Sequence, residues 1–488
     1  MAEARSPCLA SRGATNHVAR SRSAARRASE TEHAVRHLIA EIDDLRKLNR
    51  STAEHACVYL DLVQRVGWKP AHLLDMQAAL RRDLLWVESR LRTVRGRAKA
   101  LRRRLAARAK RDPASRDSVL KHMATLVVRE RVLVLRRLLL RQIADAFAWL
   151  VLRLDARLIL PLYREQTHQL PRGEGLGGPA ELARRAMHSG EFLVIENDLT
   201  RCLGVGDLTV VFAARRWKHP ISYEVKSSAR PAWRLGAELQ IEAIAAVSDD
   251  PADVELHERF TAATGFGDLP ATMRSREQPA QTAEQLSAAE LVRAAKGVVG
   301  QRLSGPSRLA WKTLGTVLTR ALADGASYDI AERGVVFMAI RSIEDQAPEA
   351  VSKDLFEKVR DLPGFGSECK IATSVDLRHN DEWSALALPI VLWPVSQAVR
   401  AALLCGELFL ACVVRPDAWR EAMKSEGLEF TEERRGWTVT GPSKATHIDV
   451  LEAGKLTLGV AFSGVSPREI AAGLAASLNG ETEKREEG

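Results

Sequence analysis

A chain of 488 residues, 46% hydrophobic and 27% charged, holds enough material for roughly two to four domains with real cores. Its six cysteines are scattered and form no C-x-x-C pair, which argues against a disulfide scaffold or a zinc cluster and for a reducing, cytoplasmic compartment. The formal net charge of +10 permits a polyanionic partner without proving one.

The first thirty residues are rich in Ser, Ala and Arg and lack a long apolar run, so they read as a disordered basic tail rather than a secretory signal. Residues 31–160 read as a helical arm or bundle, with coiled-coil pairing and self-association open to it. Leu38, Ile42, Leu45 and Leu48 recur at helical spacing. A break falls at Gly67-Trp68-Lys69-Pro70, and residues 73–105 form one long helix striped by Leu80, Leu84, Val87, Leu91 and Val94. Asp112-Pro113 interrupts the pattern, which resumes over 119–160. The glycines at 173, 175, 177 and 178 mark a loop and do not match a phosphate-cradling motif.

Residues 161–345 then change character. After a short helix at 179–188, strands are expected at 192–195, 207–212 and 221–226, the last two joined by a polar connection of hairpin size at 213–220. A helix is expected at 232–247, with further helices at 288–299 and 309–323. Residues 335–340 read as a buried strand and a candidate later member of the same sheet. Residues 346–472 read as a C-terminal α+β region, with strands at 385–392 and 437–440 and a helix at 397–404, before a charged disordered tail at 473–488. The apolar stretches 386–395 and 399–414 fall short of the roughly 18 residues a membrane helix needs, so no membrane is expected.

The informative segment is Gly206-Asp207, a hairpin-length gap, and Glu224-Val225-Lys226. Alternate strand residues share a face, so Glu224 and Lys226 point one way, and a closing hairpin brings Asp207 near Glu224. Two carboxylates suit a hard cation such as Mg2+, with Mn2+ as a substitute, and the Val225 carbonyl is a further oxygen ligand. A cation so held polarises a phosphate and acidifies water, while a lysine handles a proton or neutralises developing charge. The bland alternative is an exposed Glu-x-Lys on a strand and an Asp in a turn.

This pattern resembles the active-site signature of the PD-(D/E)XK nuclease superfamily, an Asp at a strand start followed by Glu-x-Lys on the next strand. Gly206 stands where that family usually has proline. The resemblance covers roughly residues 140–340 and is specific only over 191–240. It implies a restriction-endonuclease-like mixed sheet and a metal-dependent nuclease, endonuclease before exonuclease, of the bacterial defence or repair sort. It implies a further upstream acid, for which Glu196 stands first, ahead of Glu191, Asp198, Glu165 and Asp145; Asp198 also reads as a turn residue. It implies a polar residue on the following helix, for which Gln240 serves, unless Gln240 simply faces solvent.

The last feature is the cationic run from Arg90 to Arg111, which no acidic residue interrupts. As a helix it can follow a phosphate backbone, with Arg95, Arg102, Arg103 and Arg104 as contacts and Arg215, Arg216 and Lys218 of the hairpin beside them. The expected partner is nucleic acid, DNA in preference to RNA. The alternatives are a nuclease fold that grips nucleic acid without cutting and an interaction protein organised by its helical arm.

Overall fold

The computed structural model describes residues 11–108, 113–154, 156–159, 162, 170, 177–204, 206–213, 220–228, 240–245, 251–264, 308–332, 334–341, 372–375, 388–433, 436–441, 445–449 and 467–478. It is a mixed α/β protein with an N-terminal helical stretch and a C-terminal α+β region. Two compact units divide it: Met1–Ser51 with Trp86–Arg137, and Thr52–Leu85 with Leu138–Gly488.

Three long helices open the chain: α1 (Ser11–Val66), α2 (Pro70–Arg108) and α3 (Pro113–Val151). Proline is tolerated in a first helical turn because the amide it lacks would have no partner there. Gly67, at φ +79°, turns the chain between α1 and α2 as the Gly-Trp-Lys-Pro break predicts. The tail expected to be disordered is instead helical from Ser11, since alanine and arginine are strong helix formers; residues 1–10 lie outside the described ones. In the first unit Leu38, Ile42 and Leu45 of α1, Leu91 and Val94 of α2, and Leu126 and Leu133 of α3 are buried. Among them, Arg129 pairs with Glu41 at 2.7 Å.

In the second unit the C-terminal part of α3 is enclosed, with Phe147 and Trp149 almost wholly buried. Beyond α4, a single turn at Ala156–Ile159, come α5 (Gly177–His188), β1 (Phe192–Glu196), a 3₁₀ turn at Asn197–Leu199, β2 (Leu208–Phe212), β3 (Ile221–Ser228) and β4 (Gln240–Ala245). The strands form one antiparallel sheet in the order β1-β2-β3-β4. The segment expected to be a helix at 232–247 is therefore a strand over Gln240–Ala245, and 246–247 and 232–239 lie outside the described residues. Its six residues pair in unbroken register with Tyr223–Ser228, and that ladder outweighs the weak helical spacing of the apolar residues.

The helix that covers this sheet is α6 (Pro251–Thr264), which packs on β3 and α5. The sequence hides it, because its buried stripe is Asp253, Leu256, Phe260 and Thr264, only half of it apolar. Phe260 meets Phe192 edge-on at 5.6 Å between ring centroids and lies 4.5 Å from the Tyr223 ring.

A second sheet follows. Helix α7 (Arg308–Asp324) packs on β5 (Ala326–Glu332) and β6 (Val335–Arg341), and the strand order is β5-β6-β8-β7, with β7 at Ala372–Val375 and β8 at Leu408–Val414. Val335–Arg341 is thus the strand its sequence predicts, but in this sheet and not in that of Asp207. The same sheet joins residues on both sides of the expected 345/346 boundary. Helix α8 (Gln397–Leu404) matches expectation. The strand expected at 385–392 does not form in its described part. Ile390–Leu392 is a 3₁₀ turn following Pro389, and the Ile390 amide bonds Gln142 Oε1 at 3.0 Å instead of a neighbouring strand. Helix α9 (Pro416–Ser425) packs against α10 (Pro467–Leu478), and β9 (Glu429–Glu433), β10 (Gly436–Thr440) and β11 (Ala445–Asp449) form a third antiparallel sheet. Helix α10 also covers the start of the tail expected to be disordered at 473–488; 479–488, like the helix expected at 288–299, lies outside the described residues. Among the described residues no helix is long and apolar enough to cross a membrane.

Asp61 of α1 receives a forked pair from Arg400 of α8 at 2.7 and 2.6 Å. The Arg400 hydrogen bonds hold the Asp61 carboxyl below the usual carboxylate range. Asp61→Asn should lower unfolding stability by about 3 kcal/mol near pH 7, because it strands a buried guanidinium. A depressed folded pKa stabilises only where the carboxylate is ionised, so the gap between parent and variant should close as pH falls through that value. Denaturant melts at pH 7 and pH 3 check this, and equal stability at pH 7 would contradict it.

Candidate active site

The hairpin expected from the sequence is present, and its asymmetry makes the site. The ladder between β2 and β3 is limited to Leu208, Thr209 and Val210 opposite Tyr223, Ser222 and Ile221. Strand β3 runs on past that ladder, and β4 holds its extension, with Glu224 opposite Ile244 and Lys226 opposite Glu242. Past the ladder's end Asp207 takes the place of a strand partner. Its amide donates to the Tyr223 carbonyl at 2.7 Å, and its Oδ2 accepts from the Val225 amide at 2.6 Å. A strand residue's N–H and C=O point to the same edge, so the Val225 carbonyl also faces the Asp207 side.

Gly206 permits this approach. It sits at φ +68°, and a Cβ there would lie 2.8 Å from the Tyr223 carbonyl oxygen, so proline or any other side chain is excluded by the backbone it would strike. Asn197 fixes the other flank. Its Nδ2 donates to the Gly206 carbonyl at 3.2 Å, and its Oδ1 accepts from Thr209 Oγ1 at 2.9 Å.

The third acid near this centre is Asp198, not Glu196. Both oxygens of Glu196 are engaged by Arg81 of α2, Nε to Oε2 at 2.8 Å and Nη2 to Oε1. Glu196 is a buried ion-pair partner with no oxygen left over, which corrects its assignment as a metal ligand. Asp198, half-buried one turn on, interacts electrostatically with both Glu224 and Asp207. Burial raises its carboxyl, Arg141 opposes that rise, and Glu224 adds to it. The signal for it in the sequence was only its place in Asn-Asp-x-Thr after the strand. Asp145 is committed elsewhere, accepting from the Arg201 amide at 2.6 Å and from Arg201 Nε at 2.8 Å. Glu191 pairs with Arg259 at 2.5 Å.

Burial, and then the charges of Glu224 and Asp198, push the Asp207 carboxyl up to about 7 against the pull of the Val225 amide. Glu224 is exposed. Oxygen donors clustered so that their charges repel are the donor set a hard cation takes. Among the described residues no group of three or more His, Cys, Asp or Glu side chains is arranged to hold a metal ion. Two carboxylates with the Val225 carbonyl and waters remain a donor set that suits Mg2+, which usually keeps several waters.

Gln240 begins β4 opposite Ser228 and so is not on a helix after the lysine, which corrects that expectation. The side chains of Lys226 and Gln240, that of Arg104, and residues 214–219 with Arg215, Arg216 and Lys218 lie outside the described ones. Of the other cationic candidates, Arg95 is paired with Glu130 at 2.7 Å, while Arg102 and Arg103 are exposed. The chain matches no protein-family model, no curated protein and no solved structure.

A carboxyl at about 7 in the folded state and 3.8 in its absence means the folded protein holds a proton that the unfolded chain releases. Stability should therefore fall as pH rises from about 4 to about 7. Asp207→Asn keeps an oxygen for the Val225 amide and should flatten that fall and leave the metal-free variant more stable than the parent at pH 8. Urea melts across this range check it, and parallel pH profiles would contradict it.

Proposed function

We propose that this chain is a Mg2+-dependent nuclease whose centre is Asp207, Glu224 and Lys226, with Asp198 as the third acid, acting on nucleic acid and on DNA before RNA. The observation that carries the proposal is the 2.6 Å bond from the Val225 amide to Asp207 Oδ2, which fixes the first acid beside the Glu-x-Lys strand. The resemblance to the PD-(D/E)XK signature and to its restriction-endonuclease-like core supplies the reaction.

In this reading Asp207 and Glu224 would hold the cation, with the Val225 carbonyl as a neutral ligand. When bound, such a cation polarises the phosphate and lowers the pKa of water. The Val225 amide holds Asp207 Oδ2, which in this reading leaves Oδ1 for the cation. Asp198 adds negative charge that favours a divalent cation over a proton at Asp207. Lys226, two residues beyond Glu224 on β3, orients the attacking water or offsets charge on the phosphate. Arg102 and Arg103 offer their charge to the backbone.

A second reading is a nuclease-fold protein that binds nucleic acid without cutting it, or a helical-arm interaction protein. It is favoured by the absence, among the described residues, of a three-ligand group arranged around a metal, and no match to a nuclease stands behind the first reading. On cleavage itself those findings weigh toward the second reading.

Cleavage assays divide the two. Purified protein with Mg2+ and plasmid or oligonucleotide DNA should cut, and Lys226→Ala should abolish cutting while binding and melting temperature hold. Asp198→Asn should reduce cutting by about 10- to 100-fold. Glu196→Gln should chiefly lower stability, because it breaks a buried pair. Salt-sensitive binding with no cutting by the parent would select the second reading, and unchanged cutting by Lys226→Ala would remove the proposed centre.

A further inference from the structure

The first unit carries a groove that the proposed centre does not use. It has a volume of about 510 Å³ and lies among the three long helices. His33 and His37 of α1, Arg97 of α2 and His122 of α3 line it, over an apolar floor that includes Leu38 and Leu101. Sites for small organic groups span about 300 to 1,000 Å³, so a single nucleotide fits.

Its chemistry narrows the occupant. Three flat imidazoles and one guanidinium offer faces for stacking, which every nucleobase can use. Glu41 also lines the groove, but Arg129 lies 2.7 Å from its carboxylate and offsets its charge. Burial, and then the neighbouring Arg97, hold the His122 imidazole below its usual pKa, so that ring stacks in its neutral form near pH 7. Arg97 belongs to the cationic run of α2, where Lys99, Arg102 and Arg103 are exposed within two turns of it. A bare phosphate would find one permanent cation on the lining and an apolar floor. A metal ion would find no suitable group of ligands among the described residues.

We infer that the groove bounded by His33, His37, Arg97 and His122 is a stacking site for one unpaired nucleotide of a nucleic-acid strand whose phosphates run along the cations of α2. This rests on the nucleic-acid reading above and deepens it. The favoured substrate has single-stranded character, because a paired base is already stacked within its duplex and has no free face.

The test is fluorescence anisotropy with the full chain, using a labelled oligothymidylate and a hairpin duplex of matched length across a salt series. The parent should bind the single strand more tightly than the duplex. The triple variant His33→Ala, His37→Ala, His122→Ala should lose about tenfold in single-strand affinity, with duplex affinity and the salt slope unchanged, because stacking releases no counterions. His122→Phe, which keeps a stacking face, should bind as the parent does. Should the triple variant melt early, His37→Ala and His122→Ala singly carry the test, each with about a threefold loss. A folded triple variant with parental single-strand affinity, or equal losses on both ligands, overturns the groove assignment and leaves nucleic-acid binding standing. A parent that binds neither oligonucleotide at low salt overturns the nucleic-acid reading and this site with it.

Discussion

Residues 194–202 present a run of buried backbone groups that no strand pairs, and side chains of two long helices satisfy them. Gln77 of α2 donates to the Val194 carbonyl and accepts from the Glu196 amide, both at 2.8 Å, along the outer edge of β1. Arg141 of α3 donates to the carbonyls of Asp198 and Thr200, and Asp145 accepts from the amides of Arg201 and Cys202. An unpaired buried backbone group costs about as much as a lost hydrogen bond, so these three residues decide where the turn sits. Because Asn197 in that turn holds Gly206 and Thr209, the start of β2 and the position of Asp207 follow from it.

The division of labour among the acids is a consequence of the same arrangement. Glu196 ends a strand whose outer edge is against α2, and there it meets Arg81. Asp198 lies beyond the strand, where the 3₁₀ turn brings its charge toward the hairpin. Two residues of separation thus distinguish a carboxylate that cements the fold from one that repels its neighbours. Half-burying Asp198 and Asp207 beside the exposed Glu224, so that the three charges repel, opposes stability.

Much of this was legible from the residues. Strands β1, β2 and β3 alternate or run apolar in plain view, and the polar linker between β2 and β3 has hairpin length, so the meeting of Asp207 with the Glu-Val-Lys strand could be drawn in advance. The long helices announce themselves through Leu80, Leu84, Val87 and Leu91, and the Gly67–Pro70 break is local chemistry. What stayed hidden depends on partners distant in sequence. Glu196 reads as a ligand until Arg81, 115 residues earlier, is placed against it. Strand β4 reads as helix because Ile241 and Ile244 suit either state, and only the unpaired edge of β3 decides between them. Helix α6 lacked an apolar stripe, and β8 was buried in a featureless apolar run. The placement of β6 in a second sheet was likewise settled by a neighbour, Leu408–Val414, some seventy residues downstream.

The Asp61–Arg400 pair has a consequence in time. Its members are 339 residues apart, and at about 5 to 20 residues per second a ribosome delivers Arg400 roughly 20 to 70 s after Asp61. Through that interval Asp61 lacks the Arg400 guanidinium, and β6, once made, waits for β8 with a bare apolar edge. The growing chain is therefore most exposed to off-pathway association between the synthesis of Val335 and that of Val414. Slowing translation in that stretch would lengthen the exposure; hastening it would shorten the time β6 spends unpaired.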